Sequence, residues 1–219
     1  MSRNSSLVVA VCLLFAGCSV NEVMVAVETE LEVAVVPKEE AMLLDIGIVE
    51  FDAGIPDKND PEETQVYDEI RQAESRYLAY HLKSTLQDTG HWGAVRVVPS
   101  VNAFTDVTLR GRIETSDGEF VKLHVTARDA AGQVWLENTY ETQTGMSSYS
   151  ERRDRRLDPY QKVFNDIAND LLAYVQALPP GDVPRVRQVS ELQFFADMAP
   201  LQYSEHLSSD EDGMVTILR

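Results

Sequence analysis

The chain has 219 residues with a formal net charge of −17 at pH 7, and 44% of its residues are hydrophobic. That apolar fraction is enough for a folded core and excludes a disordered spacer. The acidity argues against nucleic acid as a partner, because a polyanion would be repelled over most of the surface.

The first element is a short apolar run from Leu7 to Ala16 that follows Arg3. A helix needs about 20 apolar residues to cross a bilayer, so this run predicts a secretory signal peptide over residues 1–17. Cys12 lies inside that segment. Cys18 is therefore the only thiol of the predicted mature chain, and no internal disulfide is expected.

The run closes with the sequence Leu14-Phe15-Ala16-Gly17-Cys18. This sequence resembles the lipobox of bacterial lipoproteins, which implies cleavage between Gly17 and Cys18 and attachment of lipid, including palmitate, at Cys18. By resemblance to lipoprotein sorting, Ser19 implies the outer membrane and its periplasmic face. Each buried methylene contributes about 0.8 kcal/mol, so two or three acyl chains would form a lasting membrane anchor.

From Val23 to Val35 every odd position is Val, Leu or Thr, while Glu28, Glu30 and Glu32 fall on even positions, and this period of two indicates a strand. The segment is either an edge strand that pairs with a partner or an extended tether, and the tether is the favoured interpretation. Residues 18–42 are accordingly predicted to form a lipidated tether. The denser apolar run from Leu43 to Phe51 predicts a buried strand.

A long helix is predicted to follow, because Asp60, Pro61 and Glu63 have the spacing of a capping box with proline at the first helical position. Gly90 is predicted to end it. Four-residue and three-residue spacing gives the expected buried face. This face comprises Val66, Ile70, Ala73, Tyr77, Leu78, Leu82 and Leu86.

Ala94 to Val98 predicts a short strand, and three alternating segments then predict an antiparallel meander. The segments are Val107–Ile113, Phe120–Arg128 and Gln133–Tyr140. They are separated by turn sequences that contain Gly118 and Gly132.

A second helix is predicted from Asp158, Pro159 and Gln161, which repeat the capping pattern, to the Pro179-Pro180-Gly181 sequence. Within the remaining tail, a short helix is predicted from Val189 to Met198. The acidic segment Ser208–Gly213 is expected to be mobile.

This element order predicts an α+β fold with a mixed, mostly antiparallel sheet of about five strands. Two helices pack on one face of the sheet, and a helical tail follows. The predicted organisation is a signal peptide at 1–17, a tether at 18–42, an α+β domain at 43–181 and a tail at 182–219.

Sequence signatures of common enzymes are absent: we find no phosphate-binding glycine loop, no nucleophile elbow and no Ser-x-x-Lys pair. The four histidines have no metal-ligand spacing, so neither a metal nor a cofactor nor a catalytic residue is predicted. Trp92 and Trp135 could mark a ligand groove. For Trp135, packing in the core or against the sheet is the favoured interpretation.

A basic cluster stands out in this acidic chain. Arg152, Arg153, Arg155 and Arg156 fall within five positions of one predicted loop. The cluster is either a solvated loop offset by neighbouring carboxylates or a docking site for an acidic protein, a lipid head group or an anionic polymer.

The meander also carries a family resemblance. The segments Asp106–Ile113 and Asp129–Trp135 match the strand patterns D-x-x-hydrophobic-x-G-x-hydrophobic and D-x-x-G-x-hydrophobic-W. These patterns, together with the element order over residues 43–178, resemble curli-secretion lipoproteins, penicillin-binding-protein activators and the amino-terminal domain of the Tol translocation protein. The resemblance implies an accessory or assembly role without catalysis. The long tail after Leu178 and the lack of a pore-forming amphipathic hairpin depart from it.

The leading hypothesis is therefore an outer-membrane lipoprotein that faces the periplasm and binds an envelope protein as a non-enzymatic accessory or assembly factor. The alternative is an envelope hydrolase or a module that binds peptidoglycan or another polysaccharide. Two close carboxylates in a cleft beside Trp92 or Trp135 would favour that alternative.

Overall fold

The computed structural model describes residues 29–36, 39–55, 67–99, 104–143 and 158–218. Within these ranges a five-stranded mixed sheet, four helices and a two-stranded sheet form an α+β architecture, so the predicted fold class is confirmed. No helix in these ranges is both long enough and apolar enough to span a membrane.

The large sheet has the strand order β2-β1-β3-β4-β5. Strand β1 pairs in parallel with β2 and β3, whereas β3, β4 and β5 pair antiparallel and confirm the predicted meander. Each of the three meander strands extends beyond its predicted C-terminal residue. The strands are β1 (Ile46–Val49), β2 (Val95–Val98), β3 (Val107–Ser116), β4 (Phe120–Asp129) and β5 (Val134–Gln143).

Helix α1 spans Asp68–Thr89 and ends as predicted at Gly90, which adopts the left-handed conformation with φ of 66°. The predicted start at Asp60–Glu63 lies outside the described residues. Leu78, Leu82 and Leu86 are buried as predicted.

The N-terminal half of α1 buries a different face from the predicted one. The exposed residues include three that were predicted to be buried: Ile70, Ala73 and Tyr77. The buried row instead continues from Leu78 to Ser75 and Arg71. Since a helix turns about 100° per residue, a shift of one position moves a residue from the core to solvent.

Helix α2 spans Gln161–Ala177 and begins without the predicted capping box. The Oδ1 atom of Asp158 accepts a hydrogen bond from the amide of Tyr160 at 2.7 Å, in the turn before the helix. The side-chain amide of Gln161 donates to Asn165 Oδ1 at 2.8 Å and to Thr85 Oγ1 at 3.2 Å. Asp158 thus accepts from an amide as predicted for a cap, although the helix begins later, at Gln161. The predicted role of Gln161 is wrong, because its side chain lies between α1 and α2 and bonds to Thr85.

The two helices also meet at a tyrosine and a histidine. The hydroxyl of Tyr77 donates to the Asp158 carboxylate. Tyr77 is exposed overall, but partial desolvation, this hydrogen bond and the negative charge of Asp158 raise its pKa to about 12. The ring of His81 stacks on Tyr77 at 5.6 Å and contacts the ring of Phe164 at 4.6 Å.

Helices α1 and α2 pack against one face of the sheet and enclose the main core. Phe164, Ile167 and Leu171 of α2 are fully buried there, together with Leu82 and Leu86 of α1. Val163, Ala168 and Leu172 are buried as well, while Val175 is only partly buried. The predicted buried face of α2 is thus confirmed except at its last residue.

Residues 29–36 form no strand and lie against both helices. The side-chain amide of Asn165 donates to the carbonyl of Thr29 at 2.7 Å, and that of Asn169 donates to the carbonyl of Glu30 at 2.8 Å. At α1, the amide of Ala34 donates to the carbonyl of Thr89 at 2.8 Å. This segment therefore connects to the domain by specific hydrogen bonds rather than by sheet pairing.

Helix α3 spans Asp182–Met198 and begins earlier than the predicted Val189. Val183 and Val186 belong to the same core as the sheet and the first two helices. The hydroxyl of Ser190 donates to Asp106, whose other carboxylate oxygen accepts from the Asp45 amide at 2.8 Å. The predicted boundary at residue 181 therefore separates residues that share one core.

The end of the tail forms a small β-hairpin. Its strands β6 (Leu207–Ser209) and β7 (Val215–Ile217) pair antiparallel. They follow α4 (Pro200–Tyr203) and a 3-10 turn at Ser204–His206. The amide of Val215 donates to the carbonyl of Ala131 at 2.8 Å and joins the hairpin to the turn between β4 and β5. The acidic segment predicted to be mobile lies within this hairpin, where Asp210 Oδ1 accepts from the Met214 amide at 2.8 Å.

Candidate functional site

The sheet face opposite α1 and α2 is polar. Side chains alternate along a strand, so every second residue of β3, β4 and β5 points away from the core. We call this surface the open sheet face. It carries Thr108, Arg110, Arg112, Lys122, His124, Thr126, Arg128, Glu137, Thr139 and Glu141.

A groove runs along the open sheet face. Its larger part, with a volume of about 710 Å³, lies where α3 and the C-terminal hairpin meet the sheet. A second part of about 510 Å³ extends over Asp52, Arg112 and His124. Arg110 and Thr126 line both parts and join them. The larger part is also lined by Phe104, Thr108, Arg128, Glu137, Gln193 and Asp197.

The wall formed by α3 is fixed to the sheet. The side-chain amide of Gln193 donates to the carbonyl of Ala130 at 3.0 Å, next to the bond between Ser190 and Asp106. At the rim, the ring of Phe194 meets that of Phe104 edge to face, with centroids 5.9 Å apart. Because all of these contacts are made within the protein, they position the α3 wall without a ligand.

Phe104 has an unusual backbone conformation at this rim. Its φ is 50°, a left-handed value that a bulky residue rarely adopts. Such a conformation costs on the order of 1–3 kcal/mol and is often found at binding sites. This residue lines the groove, where its ring contacts Phe194.

Three of the cations on the open sheet face have protein partners. Arg112 Nε lies 3.9 Å from Asp52 Oδ2, and Lys122 Nζ lies 3.5 Å from Glu114 Oε2. Arg128 donates to the carbonyl of Gly132 at 2.6 Å. The guanidinium of Arg110, in contrast, makes no hydrogen bond or ion pair with any residue in the described ranges. Its side-chain N–H donors are therefore available to a ligand.

Both tryptophans are core residues. Trp135 is 4% exposed, its ring stacks on Tyr174 at 5.2 Å, and its Nε1 donates to Asp129 Oδ2 at 2.8 Å. This confirms the favoured interpretation of Trp135. Trp92 is 7% exposed and belongs to the main core, so it does not line the groove.

Asp129 is the groove-lining carboxyl group with a perturbed acidity. Burial raises its pKa, while hydrogen bonds from Trp135 and from the backbone, including the Gln133 amide, oppose the rise. Its two oxygens accept from Trp135 Nε1 at 2.8 Å and from the Gln133 amide at 2.9 Å. Both donors belong to the turn and the strand that follow Asp129, which indicates a structural role.

The histidines occupy separate places. His81 lies between the helices, His124 on the open sheet face and His206 in the 3-10 turn, while His91 follows α1. Across the described parts of the chain, no group of three or more His, Cys, Asp or Glu side chains could hold a metal ion.

None of the described residues that line the groove is a site residue predicted from sequence. Gly17, Cys18 and the arginine cluster at 152–156 lie outside the described residues. The sequence did contain a signal for the open sheet face, because Arg110 and Arg112 alternate with Leu109 and Gly111 in a predicted strand. That alternation indicates a cationic strand face, which sequence reasoning missed.

No family model and no curated protein matches the chain. Solved structures that are similar to it at low identity include the following three. A hypothetical protein from Chlamydia trachomatis has a TM-score of 0.42 and 11% identity, and the match covers 61% of this chain and 99% of that one.

A protein from Xanthomonas campestris has a TM-score of 0.35 and 16% identity, with 80% of this chain and 97% of that one covered. A PelC dodecamer from Paraburkholderia phytofirmans has a TM-score of 0.35 and 17% identity, with 68% of this chain and 96% of that one covered. At these TM-scores and identities the similarities transfer no function to this chain.

Proposed function

We propose that the chain is an outer-membrane lipoprotein that faces the periplasm and works by binding, as a non-enzymatic accessory or assembly factor of an envelope complex. The groove on the open sheet face is the observation that carries the binding role, since it is open, polar and bounded by a fixed wall. The lipid anchor rests on the sequence that ends at Cys18.

The chemistry of the groove favours binding over catalysis. An acid or base catalyst usually has a perturbed pKa and a free polar atom that faces the substrate. Asp129 has the raised pKa, but both of its oxygens accept structural hydrogen bonds.

One observation supports the alternative of an envelope hydrolase. Glu137 and Asp197 both line the larger part of the groove and could act as a carboxylate pair. Incubation of the protein with purified peptidoglycan separates the two roles. If the unchanged protein releases soluble sugar and Glu137→Gln does not, the protein is a hydrolase and the non-enzymatic role is wrong.

The anchor predicts a clear result for Cys18→Ser. In bacteria grown with labelled palmitate, the full chain is expected to incorporate the label and to sediment with membranes, because acyl chains on the Cys18 thiol would hold it there. Cys18→Ser is expected to lose the label entirely and to leave the membrane fraction.

Cys12→Ser is the matched control, because it removes the other cysteine of the chain without touching the acylation position. It is expected to keep the label. Equal labelling of Cys18→Ser and the unchanged chain would refute the lipoprotein assignment.

A further inference from the structure

We propose that the groove binds an acidic oligosaccharide, a chain of hydroxyl-rich sugar units that carry carboxylates, and that Arg110 pairs with one of those carboxylates. This ligand class specifies the binding role proposed above and rests on it. It does not depend on the lipid anchor, so the two can be tested separately.

Arg110 lies at the centre of the groove, where it lines both parts together with Thr126. Arg112 follows two residues later on the same face of β3, directly opposite His124 of β4. Since the guanidinium of Arg110 has no partner among the described residues, a ligand carboxylate would accept two parallel hydrogen bonds from it.

The rest of the lining matches sugar hydroxyl groups. Thr108 and Thr126 provide hydroxyls, which both donate and accept hydrogen bonds. Glu137 and Asp197 provide carboxylates that accept from hydroxyl donors. At the rim, the strained Phe104 presents an apolar ring, and sites of this kind combine aromatic surface with a few polar groups.

The two carboxylates also separate this ligand class from denser polyanions. A polyphosphate has no hydroxyl protons to donate to Glu137 or Asp197, so both side chains would repel it. The net charge of −17 disfavours any anion at long range. At physiological ionic strength the Debye length is about 8 Å, however, so the more distant acidic side chains are largely screened at the position of Arg110.

Calorimetric titration of the full chain in detergent with an oligogalacturonate tests the proposal, with cellohexaose as the uncharged comparison. The oligogalacturonate is expected to bind at least about tenfold more tightly than cellohexaose, because a charge-assisted bidentate contact is lost with the neutral chain. Arg110→Gln is expected to remove this preference. Arg110→Lys keeps the positive charge but lacks the planar guanidinium, so it is expected to retain part of the preference for oligogalacturonate.

Arg96→Gln is the matched control. It removes the same charge from β2 of the same sheet, where Arg96 pairs with Asp45 Oδ2 at 3.1 Å, outside the groove. It is expected to leave binding unchanged. Circular dichroism on each variant confirms that the exposed substitutions leave the fold intact.

Three results would overturn the proposal: no binding of oligogalacturonate, equal binding of cellohexaose, or equal losses in Arg110→Gln and Arg96→Gln. Preferential binding to vesicles that contain anionic phospholipid would assign the groove to lipid head groups instead. Each of these results leaves the palmitate experiment on Cys18 unaffected, so failure of the ligand is distinguishable from failure of the lipoprotein role.

Discussion

Deletion of residues 182–219 is expected to leave most of the protein molecules unfolded. The deletion removes α3, in which Val183 is 7%, Val186 4% and Val189 0% exposed. Full burial of a valine contributes about 1.5–3 kcal/mol, so three such residues account for roughly 5–9 kcal/mol. That loss is comparable to the whole stability of a typical domain, about 5–15 kcal/mol. Urea denaturation followed by circular dichroism measures it.

A shorter deletion is the control. Removal of residues 199–219 keeps α3 and takes away α4 and the hairpin, which loses the contact between Val189 and Val215. We expect a loss of about 1–3 kcal/mol, because one small cluster is exposed rather than the main core. An unchanged urea midpoint for the 182–219 deletion would show that the tail is dispensable and that its helix does not belong to the core.

Asp106→Ala is expected to lower the free energy of unfolding by about 3 kcal/mol, because one buried and one partly buried donor lose a charged acceptor. These donors are the amide of Asp45 and the hydroxyl of Ser190, and Asp106 itself is 4% exposed. The same substitution detaches the α3 wall from the start of β3. Urea denaturation of the variant gives the magnitude.

A double-mutant cycle with Ser190→Ala isolates the contact between helix and sheet. We expect a coupling free energy of about 1 kcal/mol or more between the two positions, since they share one hydrogen bond. Asp197→Ala, on the exposed side of the same helix, is expected to change stability by less than about 0.5 kcal/mol. Simple additivity of Asp106→Ala and Ser190→Ala would contradict the described contact.

The meander was predictable because local sequence determines it. Alternation of apolar and polar residues predicted the strands. The turn before β5 contains Gly132, whose φ of 92° suits glycine. The buried row of α1 was not predictable from hydrophobic periodicity. Its N-terminal members are Arg71 and Ser75, which are polar and yet 6% and 2% exposed.

The groove could be predicted only in part. Alternation places Arg110 and Arg112 on one strand face, and this requires no tertiary information. The α3 wall depends on the bond between Ser190 and Asp106, which are 84 positions apart in the chain. No periodicity encodes such a contact, so sequence reasoning treated the tail as an appendage.

Site-specific photo-crosslinking in intact cells tests most directly whether the groove is the contact surface of this protein. A benzophenone amino acid is placed at Thr126, which lines both parts of the groove, or at Tyr80, which is 60% exposed on α1. We predict covalent adducts with an envelope component from Thr126 and none from Tyr80. Absence of adducts at Thr126, or equal adducts at both positions, would show that the groove is not the contact surface.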